Sequence, residues 1–176
     1  MKKYIFLIVV LVFGITSVMS QSLTDKEKDL FNKIMSYRKQ HGLSEIPISK
    51  SLNVVAKTHV NDLQQNYQLN NNCNLHSWSN KGKWLPVCYK GSASDAKLMW
   101  SKPSELTAYK GNGYEIAFYS SGSVDTQKAL NVWQNSKGHN NIILNKDIWS
   151  SSNFKAIGIG ISENYAVVWF GTEIDK

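Results

Sequence analysis

From residue 24 the chain settles into a helical rhythm. Leu30, Phe31, Ile34, Met35 and Tyr37 recur three and four residues apart, the one-sided stripe of an amphipathic helix. Thr24 to Glu27 spells a capping box, and Asp25, Glu27 and Asp29 place negative charge at the positive end of the helix dipole. Gly42 supplies the stop. Ile46-Pro47-Ile48 reads as extended, and Ser49 caps a second predicted helix whose apolar stripe is Leu52, Val55, Ala56, His59, Val60 and Leu63. His59 on that stripe is either a hydrogen-bonded core histidine or a ligand; the former is the commoner fate of a lone histidine there.

Residues 70–90 follow neither period and hold both cysteines, His76, Trp78 and Trp84. Irregular stretches of that length are usually functional or stapled. Ser94 is the predicted cap of a short helix over residues 95–100, stopped by Pro103. After the turn Gly111-Asn112-Gly113, residues 114–119 alternate as a strand. Ser123 or Asp125 opens a further helix through Ala129, Leu130, Val132 and Trp133 that ends near Gly138, with His139 in a polar loop beyond. Residues 156–161 and 166–170 read as strands joined by a four-residue connection, hence an antiparallel hairpin. Gly158 and Gly160 share one face of the first, which lets another element approach its backbone closely. Helices early and strands late define an α+β domain.

The first twenty residues are of another kind. Lys2 and Lys3 precede an apolar run over residues 4–13, and Val18 and Ser20 stand three and one positions before a cut ahead of Gln21. A cleaved secretory signal over residues 1–20 is expected, leaving a single domain over residues 21–176 in an extracellular or periplasmic setting and no transmembrane segment after cleavage. An uncleaved anchor is the competing reading, although the run is short for a bilayer. No cysteine stands at the cut to take a lipid.

Charge and cysteine usage narrow the classes further. Twenty basic and thirteen acidic residues give +7, and removal of Lys2 and Lys3 leaves +5. The lysines are scattered and Arg38 is the only arginine, so there is no basic stripe of the kind that reads nucleic acid. A composition 42% hydrophobic and 19% charged excludes a disordered tail or a multi-pass membrane protein. Cys73 and Cys88, the only cysteines, would pair in an oxidising compartment. Closing a loop of about fifteen residues stabilises by roughly 3 kcal/mol in the chain-entropy account. A two-cysteine metal site is the alternative, without the close spacing such sites use.

Among the four histidines, His41 lies at a helix end, whereas His76 and His139 sit in polar segments, Leu-His-Ser-Trp and Ser-Lys-Gly-His-Asn-Asn. Glu115 is a lone acid inside an apolar strand pattern, where a carboxylate requires a partner, a proton or a bound group.

Several segments, in order, resemble the CAP superfamily of cysteine-rich secretory proteins, venom antigens and pathogenesis-related proteins, whose shared unit is the SCP domain. They are LFNKIMSYRKQHGL, AKTHVNDL, His76-Ser77, GYEIA at residues 113–117, WQNSKGHNNIIL from Trp133, IGIGI and YAVVWFG, and they span about residues 27–171. The form WxNSxGH is closest to bacterial members. The resemblance implies a three-layer α-β-α sandwich with a central, mainly antiparallel sheet. It also implies a cleft holding two histidines and two acids, which in some members binds a divalent metal. Carried onto this chain, the histidines are His76 and His139 and the first acid is Glu115. The second acid's place falls on Ser136, and Ile116 replaces the usual asparagine. His76, His139 and Glu115 are thus the candidate ligands for Zn²⁺ or another divalent cation, with Glu105 as another source of oxygen. The competing reading is a metal-free hydrogen-bonded cleft, with no cofactor certain.

The expected cleft comprises His76, Glu115, Ser136, His139 and Trp78, the last as an aromatic wall for a sugar ring or an apolar ligand. The expected function is a secreted, non-catalytic protein that binds a small apolar ligand such as a lipid or sterol, or a cell-envelope polymer. A secreted metal-dependent or His/Glu-based hydrolase, peptidase-like, is the alternative, with His76, Glu115 and His139 as candidate catalytic residues. Ser77 and Ser136 lack a sequence context that makes them nucleophiles.

Overall fold

A computed structural model describes residues 22–69 and 72–176, so the signal segment expected over residues 1–20 lies outside the described residues. Helix α1 (Asp25–Gln40) begins with the capping box written into its sequence: Thr24 Oγ1 accepts the Glu27 N–H, and Glu27 returns its carboxylate to the Thr24 N–H at 2.7 Å. It ends where Gly42 turns left-handed, φ +75°, with the Leu43 and Gly42 N–H groups closing back onto Arg38 and Lys39. Ser49 caps α2 (Lys50–Asn66). The residues between them run along the sheet edge, where Ile48 bridges Ile157 in parallel.

Two boundaries between α2 and the first strand differ from the sequence pattern. Helix α3 spans Ala93–Trp100 and is capped by Ser92, not Ser94, because Asp95 completes a capping box with Ser92. Pro103 does not stop the chain; it sits in the first turn of a further short helix, α4 (Lys102–Leu106), where its missing N–H costs nothing.

Strands β1 (Gly113–Tyr119), β2 (Ala156–Ile161) and β3 (Tyr165–Gly171) form one antiparallel sheet in the order β1-β3-β2. Strict alternation divides its side chains between two layers. Ile116, Phe118, Ile157, Ile159, Ala166, Val168 and Phe170 pack under α1, α5 (Thr126–Asn135) and α6 (Lys137–Ile143). Ala117, Ala156, Tyr165, Val167 and Trp169 face α2 and the segment around Trp78. The result is a three-layer α-β-α sandwich.

Helix α2 rests directly on the backbone of β2. A Cβ at Gly158 would overlap the Leu52 carbonyl, and one at Gly160 would stand 2.5 Å from that of Ala56. The glycines make the contact possible, and Asn53 Oδ1 seals it by accepting the Ile159 N–H at 2.9 Å.

Helix α5 is capped by Asp125 and ends at Asn135. Ser136 then takes an extended conformation, and its carbonyl receives the Asn140 N–H, which starts α6. His139 therefore lies in the first turn of a helix, not in a loop as its polar neighbours suggested. The break at Ser136 lets Lys137 and Gly138 open a new helix.

Candidate functional site

Glu115 projects from β1 on the α2 face, with its side chain wholly enclosed. Such a carboxylate has to be matched, and two imidazoles match it. His59 on α2 lies 2.5 Å from Oε2 through Nδ1, and His76 on the loop lies 2.8 Å from Oε1 through its own Nδ1. Burial alone would push the Glu115 carboxyl up, but the His59 charge and the two imidazole hydrogen bonds outweigh it and hold the group below the ordinary glutamate range. Glu115 is an anion.

His59 also reaches the loop. Its Nε2 faces the Ser77 carbonyl at 3.0 Å, an oxygen that only accepts, so Nε2 carries a hydrogen. Nδ1 faces the Glu115 carboxylate. His59 thus links the Glu115 carboxylate and the Ser77 carbonyl in one buried chain of contacts. It lies parallel to Trp78, ring planes 5° apart and centroids 4.2 Å apart. The sequence placed His59 correctly on a buried face. What the pattern did not reveal is that its partner is the isolated acid of β1; a buried base and a buried acid, each without a neighbour in sequence, was the available signal.

The loop that carries His76 is irregular but strongly tied. Cys73 and Cys88 form a disulfide, Trp78 and Val87 exchange both backbone hydrogen bonds, and Tyr89 donates its N–H to Ser77 Oγ. Asn74 Oδ1 accepts the His76 N–H and turns the residue toward Glu115. A second clamp grips the loop from α4. Lys102, fully buried, donates to the Leu85 carbonyl at 2.5 Å and to Glu105 at 2.6 Å, while Glu105 accepts the Leu85 N–H. Lys102 Nζ also sits over the Trp78 ring, 5.6 Å from its centroid. Glu105 is thereby committed to the clamp, not to the histidines.

His139 arrives from the opposite layer. Trp133 Nε1 donates to the Ala117 carbonyl at 3.0 Å and fixes α5 against β1; Tyr37 holds Asn140, and Arg38 holds the Ile143 carbonyl. Burial, reinforced by His76, pushes the His139 imidazole below the ordinary histidine value against the pull of Glu115. Its Nδ1 is buried and has no hydrogen-bond partner among the described residues. His76 touches Glu115, and His139 lies close enough to both for their charges to act on its ring. Ser136 stands at the α5–α6 joint and contributes no side-chain cap. Trp78 is 2% exposed and is enclosed beneath the site.

Both Glu115 oxygens are occupied by ring nitrogens. Among the described residues no three His, Cys, Asp or Glu side chains are grouped to hold a metal ion. Two imidazoles without a free carboxylate do not make the three-ligand set of a catalytic zinc, and Ser136 adds no charge. The residues present do not fit a metal held by His76, His139 and Glu115 together.

A histidine–carboxylate cluster between the layers of an α-β-α sandwich is the class of site and fold that these side chains define. The chain matches the CAP family, the cysteine-rich secretory protein family, over residues 31–170, and it belongs to that family. Comparison with curated proteins returned no match. Among solved structures it is similar to an outer surface protein of Borrelia burgdorferi (19% identity, TM-score 0.57), covering 87% of this chain and 96% of that one. It is also similar to a cysteine-rich secretory protein of Staphylococcus aureus (15%, 0.55) and to an extracellular SCP-domain protein of Bacillus anthracis (18%, 0.58). Those two matches cover 84% and 87% of this chain but only 39% and 45% of the other proteins. No helix among the described residues is long and apolar enough to cross a membrane.

Proposed function

We propose that this chain is a secreted, non-catalytic binding protein whose cleft, fronted by His76 and His139, takes a polar, anionic component of the cell envelope. The observation that carries this reading is the double engagement of Glu115. An acid with both oxygens held by imidazoles is an anchor, not a free base or nucleophile. What remains for a ligand is the Nε2 of His76, a side chain one-fifth exposed, and the neutral ring of His139. Trp78 is enclosed, so an envelope polymer suits the cleft better than a sterol or lipid. The positive net charge acts in the same direction. The outer surface and extracellular proteins of like fold agree with such a location.

The test is retention of the purified protein on immobilised poly(glycerol phosphate), beside vesicles containing cholesterol. Retention on the polymer that weakens with salt and is lost in His76→Ala/His139→Ala is the expected result. Retention on the sterol vesicles alone, or cleavage of the polymer or of a casein substrate abolished by His139→Ala, would replace this reading with lipid binding or hydrolysis.

A further inference from the structure

The last turns of α2 and the disulfide-tied loop line a cavity of about 360 Å³ that opens to solvent, within the size range of small-molecule sites. Neither His76 nor His139 lines it. Leu63, Tyr67, Pro86 and Val87 give it apolar walls, and Asp62 gives it a charge. Asp62 is 4% exposed. Its carboxylate accepts from Asn66 Nδ2 at 2.8 Å, from the Ser79 N–H at 2.8 Å and from Ser79 Oγ at 2.5 Å. All three donors are neutral, and a carboxylate has about four acceptor positions.

The surrounding charges are already spent. His59 is matched by Glu115 and Lys102 by Glu105, while no ion pair among the described residues includes Asp62. Asp62 also stands one turn from the C-terminus of α2, where the helix dipole is negative and the last turn carries no basic residue. Two independent features therefore leave negative charge at the wall of an apolar cavity, a setting that favours a cation.

We propose that this cavity binds a small organic cation, an ammonium group on a compact apolar body, with Asp62 as its counter-ion. The ammonium takes the remaining acceptor position of Asp62, and the body lies against Leu63, Tyr67 and Val87. This site is independent of the His76–His139 cleft and of whatever that cleft binds.

The experiment titrates benzylammonium and its neutral counterpart, benzyl alcohol, into ¹⁵N-labelled protein and follows backbone amide shifts. Asp62→Asn is the companion variant. If the Asn66 amide turns over, Ser79 Oγ and Asn66 can still satisfy the new side chain, so the charge goes and the packing stays. The expected result is shifts at Asn66, Ser79 and Val87 with benzylammonium, binding at least about tenfold tighter than benzyl alcohol, and loss of that preference in Asp62→Asn. Equal binding of the two probes, no binding of either, or shifts confined to the surroundings of His76 and His139 would overturn the proposal. The comparison of the two probes on the unaltered protein decides the question even if Asp62→Asn does not fold.

Discussion

His59 lies flat on Trp78, with ring centroids 4.2 Å apart and planes 5° from parallel, at the point where α2, the disulfide-tied loop and β1 meet. Stacking of the imidazole on the indole face is a favourable aromatic contact beyond the area it buries. The same ring reaches forward to Glu115 and back to the Ser77 carbonyl. One residue thus connects helix, loop and strand, and the position of His76 depends on it through Glu115.

The first prediction follows from that junction. His59→Phe keeps an aromatic ring against Trp78 but leaves Glu115 Oε2 buried without a donor. Breaking a buried ion pair from one side costs about 3–5 kcal/mol, whereas replacing both partners by apolar groups is far cheaper. His59→Phe is expected to lose that amount in urea unfolding, and His59→Phe/Glu115→Met to recover most of it. A loss below about 1 kcal/mol in the single variant would show that His59 does not hold the carboxylate.

Much of this arrangement was legible in advance, and the limits have physical causes. The Thr24 capping box, the apolar stripes and the glycine pair of β2 are local patterns, and each led to the right element. The site is built from residues 56 and 39 positions apart, His59 with Glu115 and His76 with Glu115. Periodicity carries no information on such pairings. It placed His59 on the buried side without naming its partner. The pattern reads His139 as loop because Gly138 and four polar neighbours mimic one; the extended residue Ser136 that precedes α6 leaves no compositional trace. The Lys102–Glu105 clamp was invisible because a lysine reads as surface until the fold encloses it.

The second prediction concerns the glycine contact. Gly158→Ala pushes a methyl group into the Leu52 carbonyl, and backbone on both sides leaves nothing flexible to yield. The expected destabilisation is at least about 3 kcal/mol, the upper end of overpacking effects. Because α2 must shift to relieve the clash, the ring-proton resonances of His59 should move as well. A fully stable Gly158→Ala with unchanged His59 signals would mean that α2 does not lie on β2 as described.

A third prediction tests the clamp under the loop. Lys102→Met fills similar volume but removes the donor to the Leu85 carbonyl and leaves Glu105 without its cation. A loss of about 3–5 kcal/mol is expected, with part of it restored in Lys102→Met/Glu105→Gln. Hydrogen exchange at Val87 and Trp78 should quicken, since their mutual backbone bonds rest on that clamp. Unchanged exchange there would assign the ion pair to α4 alone.

The fourth prediction is a pH dependence with two separate windows. His139 has a folded pKa below its ordinary value of 6.5, chiefly through burial. As pH falls below 6.5 the unfolded chain takes up a proton that the folded protein resists, so the unfolded state binds more protons and stability declines until the folded value is passed. Above 6.5 the group contributes no slope. Glu115 acts lower down: its folded pKa lies below the ordinary 4.5, so its contribution is complete above 4.5 and is lost as pH falls through the folded value. Unfolding free energies measured from pH 8 to 3 should therefore show a decline on the acid side of 6.5 that His139→Gln reduces, and a deeper loss below 4.5 that it leaves in place. Superimposable curves for the two proteins between pH 7 and 5 would show that His139 is protonated as readily in the fold as in the open chain, and that its ring faces water instead of the protein interior.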